Sequence, residues 1–141
     1  MAVNINWLAV AVCVVVSMVS GSIWYNPKTF FDIWWKGIGK TEKDDPGENH
    51  SMALVWPLVI LSSLVQAVVM ALMVNWLGPV FGGVSALSGL LTGLILWLGF
   101  VAPTYLVNKL FAGQPFYVWG IEIGNHLLNF LLFGLILGAW Q

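Results

Sequence analysis

Glu122, Asn125, His126 and Asn129 stand at i, i+3, i+4 and i+7 of one continuous run, a spacing that puts all four on the same face of an α-helix. A carboxylate and an imidazole one turn apart can pair, pass a proton or meet a cation, and two amides can hydrogen bond to whatever faces them. Enzyme chemistry finds little here. Ser17, Ser20, Ser22, Ser62, Ser63, Ser85 and Ser88 have no neighbouring base in the sequence, and His126 is not spaced for a nucleophile motif. Gly82-Gly83 lacks the strand and lysine of a phosphate-binding loop. One carboxylate and one imidazole fall short of a metal site, since Cys13 and His50 are remote in sequence. No catalytic residue, metal or cofactor is therefore expected. His126 as axial ligand of a haem or chlorophyll-type pigment is the weaker option, because one imidazole in an apolar helix suffices for it.

The elements that must carry this stripe are apolar. Of the 141 residues, 60% are hydrophobic and 8% charged, with a mean hydropathy of +0.89. A soluble domain carries about 25% charged residues, so the solvent of most of this chain is lipid. Five lysines, no arginine and six acids build no basic face, which excludes nucleic acid as a partner. Cys13, the single cysteine, cannot form an internal disulfide and reads as a small apolar filler. Residues 5–24, 52–77, 83–107 and 117–140 form four apolar runs, divided by turn formers at Gly78-Pro79 and Gly113-Gln114-Pro115. Each is long enough for a helix rising about 1.5 Å per residue to cross about 30 Å of hydrocarbon. Unpaired backbone amides are too costly there for anything but helices. The expectation is an all-α polytopic membrane protein, a four-transmembrane-helix bundle forming a single membrane domain over residues 1–141. No Lys or Arg precedes the first run, so it reads as a retained span rather than a signal peptide.

Trp56 and Trp76 are 20 residues apart and Trp119 and Trp140 are 21 apart. Either spacing is about 30 Å of helix, which suggests anchors at both membrane interfaces. Trp7 and Trp24 bracket the first span more tightly, and Trp97 falls mid-span, as if packed between helices. Lys28, Lys36, Lys40 and Lys43 lie in the first loop and Lys109 in the third. Loops one and three are thus expected in the cytoplasm and both termini outside. Within the first loop, residues 28–38 read as an interfacial amphipathic helix. Phe30, Phe31, Trp34, Trp35 and Ile38 share a face opposite Lys28, Asp32 and Lys36, and are expected to sit at headgroup level. The rest of that loop is polar and turn-rich, with His50 as a solvated, inert histidine.

Depth refines the stripe. Glu122 lies about 8 Å into its helix, near the positive N-terminal dipole end. Asn129 approaches the mid-plane at the depth of Gln66, which predicts a Gln66–Asn129 hydrogen bond. On the structural reading Glu122 pairs with His126 while the amides hold the bundle together. On the functional reading Glu122 opens a proton or cation path in which His126 titrates. Ser17 and Gly21, Ser85, Gly89 and Gly93, Gly120 and Gly124, and Gly134 and Gly138 recur every four residues, the pattern of close helix approach. That is more small surface than a monomer obviously requires, which suggests a homo-oligomer or docking on a larger membrane complex. A faint internal repeat relates Trp24-Tyr-Asn-Pro27 and Val55-Trp56 to Phe100-Val-Ala-Pro103 and Val118-Trp119, consistent with two hairpins of like orientation.

The order of Asn6-Trp7, Gly21-Ser-Ile-Trp-Tyr-Asn-Pro27, an aromatic amphipathic stretch, the acidic loop at Thr41-Glu42, Leu98-Gly-Phe-Val-Ala-Pro-Thr104 and Leu137-Gly-Ala-Trp140 resembles the domain of unknown function 1761 (DUF1761) family. The resemblance implies a small bacterial four-span membrane protein of unassigned role and carries over no catalytic or cofactor residue. The favoured functional expectation is a non-enzymatic helix bundle that self-associates or serves as an accessory subunit. The alternative is a small proton- or cation-conducting transporter or channel using Glu122 and His126.

Overall fold

In the computed structural model, which describes residues 3–140, the chain is all-α. Asn6 starts α1 (Trp7–Trp24) by accepting the Ala9 amide N–H on its side chain at 3.1 Å, which satisfies one of the free donors of the first turn. After the Asn-Pro turn comes a short helix, α2 (Phe31–Gly37), and then α3 (Met52–Leu77), capped by Ser51. Pro57 falls early in α3, and the helix continues through it. A 3-10 turn over Gly78–Phe81 reverses the chain, with Gly82 and Gly83 at φ 87° and 129°, left-handed values that favour glycine.

The third span runs Ala86–Phe111, later at both ends than the 83–107 expected. The two glycines and the capping box of Ser85 with Ser88 delay its start. Its interior is not uniform: α4 (Ala86–Leu96) passes through a π-helical segment, Trp97–Val101, into α5 (Ala102–Phe111). Pro103 stands two residues beyond the π-helical segment, and the wider turn accommodates a residue that cannot donate to the helix ladder. Helix α6 (Phe116–Ala139) closes the bundle and packs against each of the other five helices. Four helical stretches are long and apolar enough to cross a membrane: Trp7–Trp24, Met52–Phe81, Ala86–Phe111 and Phe116–Ala139.

The tightest pair is α4 with α6. A Cβ placed on Gly89 would land on the Gly134 carbonyl, one on Gly93 on the Phe130 carbonyl and one on Gly138 on the Ser85 carbonyl. Small residues on both helices let the backbones touch, so dispersion supplies the adhesion that hydrophobicity cannot supply in lipid. Ser85, Gly89, Gly93, Gly134 and Gly138 are thus used inside the fold. Gly124 is covered by the Trp24 ring, whereas a Cβ on Gly21 or Gly120 would meet nothing within 4 Å. Spacing alone had marked those two as close-approach positions, and the rotation of their helices turns them away from any neighbour. Toward the termini, Ala9, Val10, Cys13, Ala67, Met70 and Phe133 interlock as a dry core of α1, α3 and α6. Cys13 is fully buried there.

Helix α2 corrects an expectation. Its aromatic face does not turn outward to the headgroups but inward onto α6: Trp35 is buried and Phe31 stacks on it at 5.4 Å. The indole N–H groups explain the inversion, since Trp34 donates to Glu122 at 3.0 Å and Trp35 to the Thr41 carbonyl at 2.9 Å. Phe30 and Ile33 remain exposed. Trp56, Trp76 and Trp140 are exposed at helix ends, whereas Trp119 turns inward and donates to the Ala102 carbonyl at 2.9 Å. Trp97 does pack between helices, donating to the Ile123 carbonyl at 2.8 Å. In the polar loop, the backbone N–H and hydroxyl of Thr41 hold the Asp44 carboxyl below its usual range, and Lys40 bridges Glu48 at 3.3 Å.

Candidate functional site

The four residues of the stripe do share α6, but they face partners on three different helices. Glu122 lies two turns into α6 and is 8% exposed. Lys109, in the last turn of α5, reaches across the Gly113 turn and places Nζ 2.9 Å from Oε1 and 2.8 Å from Oε2. Trp34 of α2 caps the same Oε1 at 3.0 Å. A buried carboxylate is tolerable only with its countercharge and donors in place, and this one has both. The sequence reading used Lys109 only as a marker of orientation. Lys109 lies four residues before Gly113 and Glu122 nine after it, a difference in depth of about 7 Å along the hairpin that a long lysine side chain can bridge, and this was the available signal.

The expected Glu122–His126 pair is not formed. With Glu122 committed to Lys109 and Trp34, His126 turns to Tyr105 of α5, with Nε2 2.9 Å from the phenol oxygen. Any axial pigment ligation through that nitrogen would have to displace this bond. Among the described residues no cluster of three or more His, Cys, Asp or Glu side chains could hold a metal ion.

Asn125 and Asn129 face α1. Ser20 donates to Asn129 Oδ1 at 2.5 Å and accepts from Asn125 Nδ2 at 3.1 Å, all three side chains being buried. One helix turn away, the Ser17 and Ser63 hydroxyls meet at 2.5 Å and join α1 to α3. These are the interhelical polar contacts expected of a membrane bundle, each worth about 0.6 kcal/mol. The predicted Gln66–Asn129 bond does not exist: equal depth did not fix helix rotation, and Ser20 stands nearer to Asn129 than Gln66 does. The Gln66 side chain makes no hydrogen bond to any described residue.

What Gln66 and Asn129 share is a cavity. Between α1, α3 and α6 lies a space of about 550 Å³ that reaches from Tyr25 and Trp56 near the lysine-rich end to Gln66 at the middle of α3. Ser17, Ser63, Asn125, His126 and Asn129 form its inner wall, and the exposed side chains of Trp56, Leu58 and Val59 border its lateral mouth. Glu122 does not line it. Sequence reasoning found most of the wall as individual polar residues. It missed the cavity, because Gly21 reads as a packing position until its empty surroundings are seen.

A family model described as "Protein of unknown function (DUF1761)" matches residues 8–138, and the chain belongs to that family. No curated protein and no solved structure matches it.

Proposed function

We propose that this member of a family of unknown function is a non-enzymatic membrane protein that binds a membrane-borne molecule in the cavity between α1, α3 and α6. The observation that carries this reading is a polar-walled space open to the side of the bundle, with the Gln66 amide unpaired at its inner end. An unpaired amide in hydrocarbon is costly, and a bound partner relieves that cost. On this reading the lysine-bearing loops face the cytoplasm of a bacterial plasma membrane and both termini lie outside.

A proton or cation path receives less support. Such a path needs its carboxylate open to the conducting space, and Glu122 is neutralised by Lys109, covered by Trp34 and absent from the cavity wall. Assembly with further copies or with a larger membrane complex is the second reading. The open surroundings of Gly120, on the outside of α6, favour it, since another helix could approach there.

One measurement separates these readings: the mass of the complex extracted gently from its native membrane, with identification of everything that accompanies it. A small molecule that stays with the 15.5 kDa chain, and is lost when Ser63→Phe fills the cavity, is the expected result. Multiples of that mass, or a stoichiometric foreign chain, would favour assembly. Proton flux in vesicles that disappears in Glu122→Gln would overturn the binding reading in favour of transport.

A further inference from the structure

The cavity wall restricts what can occupy it. Its mouth is apolar, its inner surface carries hydroxyls and amides, and no Lys, Arg, Asp or Glu side chain lines it. His126 is already engaged with Tyr105 through Nε2. A phosphate or ammonium head would therefore enter without a countercharge, at a cost of several kcal/mol. The inner end, at Gln66, lies near the middle of the 26-residue α3, far below the level at which phospholipid headgroups sit. Gln66 offers a donor and an acceptor with no partner among the described residues, and Asn129 has committed its oxygen to Ser20 and keeps its N–H groups. A second recess of about 320 Å³, lined by Val15, Val19, Ile23, Leu128 and Leu132, is almost wholly apolar. Acyl chains suffice to fill that one, whereas the polar wall of the larger cavity asks for hydrogen bonds.

We infer that the ligand is an uncharged amphiphile whose hydroxyl or carbonyl head reaches Gln66 and Asn129 and whose hydrocarbon tail leaves past Trp56 and Val59. The inference rests on the cavity being the working part of the molecule. Its volume falls within the range of pockets that enclose a small organic molecule. That is room for a head and the first part of a tail, with the remainder lying in the bilayer.

The test uses the full chain in phosphatidylcholine vesicles that contain, in separate arms, dioleoylglycerol, decylbenzoquinone or dioleoylphosphatidylglycerol. Adducts are read by native mass spectrometry. One neutral probe should give a one-to-one adduct, hydroxyl and carbonyl heads being told apart by which of the two arms responds. Binding should fall about tenfold in Gln66→Leu, the loss of one or two hydrogen bonds, and vanish in Ser63→Phe. Gln66→Leu makes the span more apolar and should insert and fold, so it remains informative if Ser63→Phe does not. If phosphatidylglycerol binds in a manner that depends on Gln66, the ligand class is overturned and the cavity stays the binding site. If no probe gives an adduct sensitive to either substitution, the binding reading falls with it.

Discussion

The α4–α6 seam and the α1–α3 face solve the same packing problem with different residues and reach opposite results. Both helix pairs carry small residues at four-residue spacing. Along α4 and α6 these are glycines set against the facing backbone, Gly89 against Gly134, Gly93 against Phe130 and Gly138 against Ser85, and the backbones close until no side chain could fit between them. Along α1 and α3 the small residues are Ser17 and Ser63, which meet through their hydroxyls, and Gly21, which faces open space. A hydroxyl contact holds two helices at a fixed separation, whereas a glycine contact draws them together. The same motif spacing therefore makes a seal on one side of α6 and leaves a cavity on the other.

The largest effect expected from disturbing this contrast is at the seam. Gly134→Val should destabilise the bundle by about 3 kcal/mol or more, since its new atoms fall on the Gly89 backbone, which cannot rotate away as a side chain would. Gly21→Ala should leave the thermal unfolding midpoint in detergent micelles unchanged. Equal loss in both variants would show that the α1 face is as tightly closed as the seam.

Next in size is the Lys109–Glu122 ion pair at the lysine-rich end of the last hairpin. Lys109→Met alone leaves Glu122 buried with only Trp34 as donor, and about 3 kcal/mol should be lost. The double substitution with Glu122→Gln should recover most of it, because no charge is then left without its partner. Full additivity in that cycle, read from unfolding midpoints, would mean that the pair contributes nothing as a pair. Smallest is the polar clasp on the cavity side: Ser20→Ala removes two hydrogen bonds, and about 1 kcal/mol should go with them.

Much of the fold was legible because a bilayer leaves so few options. Runs of uncharged residues near 20 long, cut by Gly and Pro, can be little other than spanning helices, and Met52–Leu77 falls where composition placed it. Rotation about the helix axes was not legible, and most corrections are errors of rotation. Equal depth suggested Gln66 with Asn129, yet the partner is Ser20. Four-residue spacing suggested Glu122 with His126, yet each faces another helix. The amphipathic pattern of residues 28–38 implied two faces, and its aromatic face was assigned to the headgroups although the pattern itself does not distinguish lipid from protein. The Trp34 indole N–H beside the buried Glu122 carboxylate turns that face toward protein, and no periodicity count registers such a partner.

The docking of α2 also imposes an order on biogenesis. Its anchor, Glu122, is translated about 90 residues after Trp34, so while the ribosome is still making the second and third spans this aromatic segment has nothing to fold against. During that interval its amphipathic pattern would suit the headgroup layer. Only when the fourth span arrives, bringing the carboxylate and the counterion geometry of the last hairpin, can the segment leave the lipid and latch. The amphipathicity read from the sequence thus describes the nascent chain, and the inward-facing helix describes the finished one.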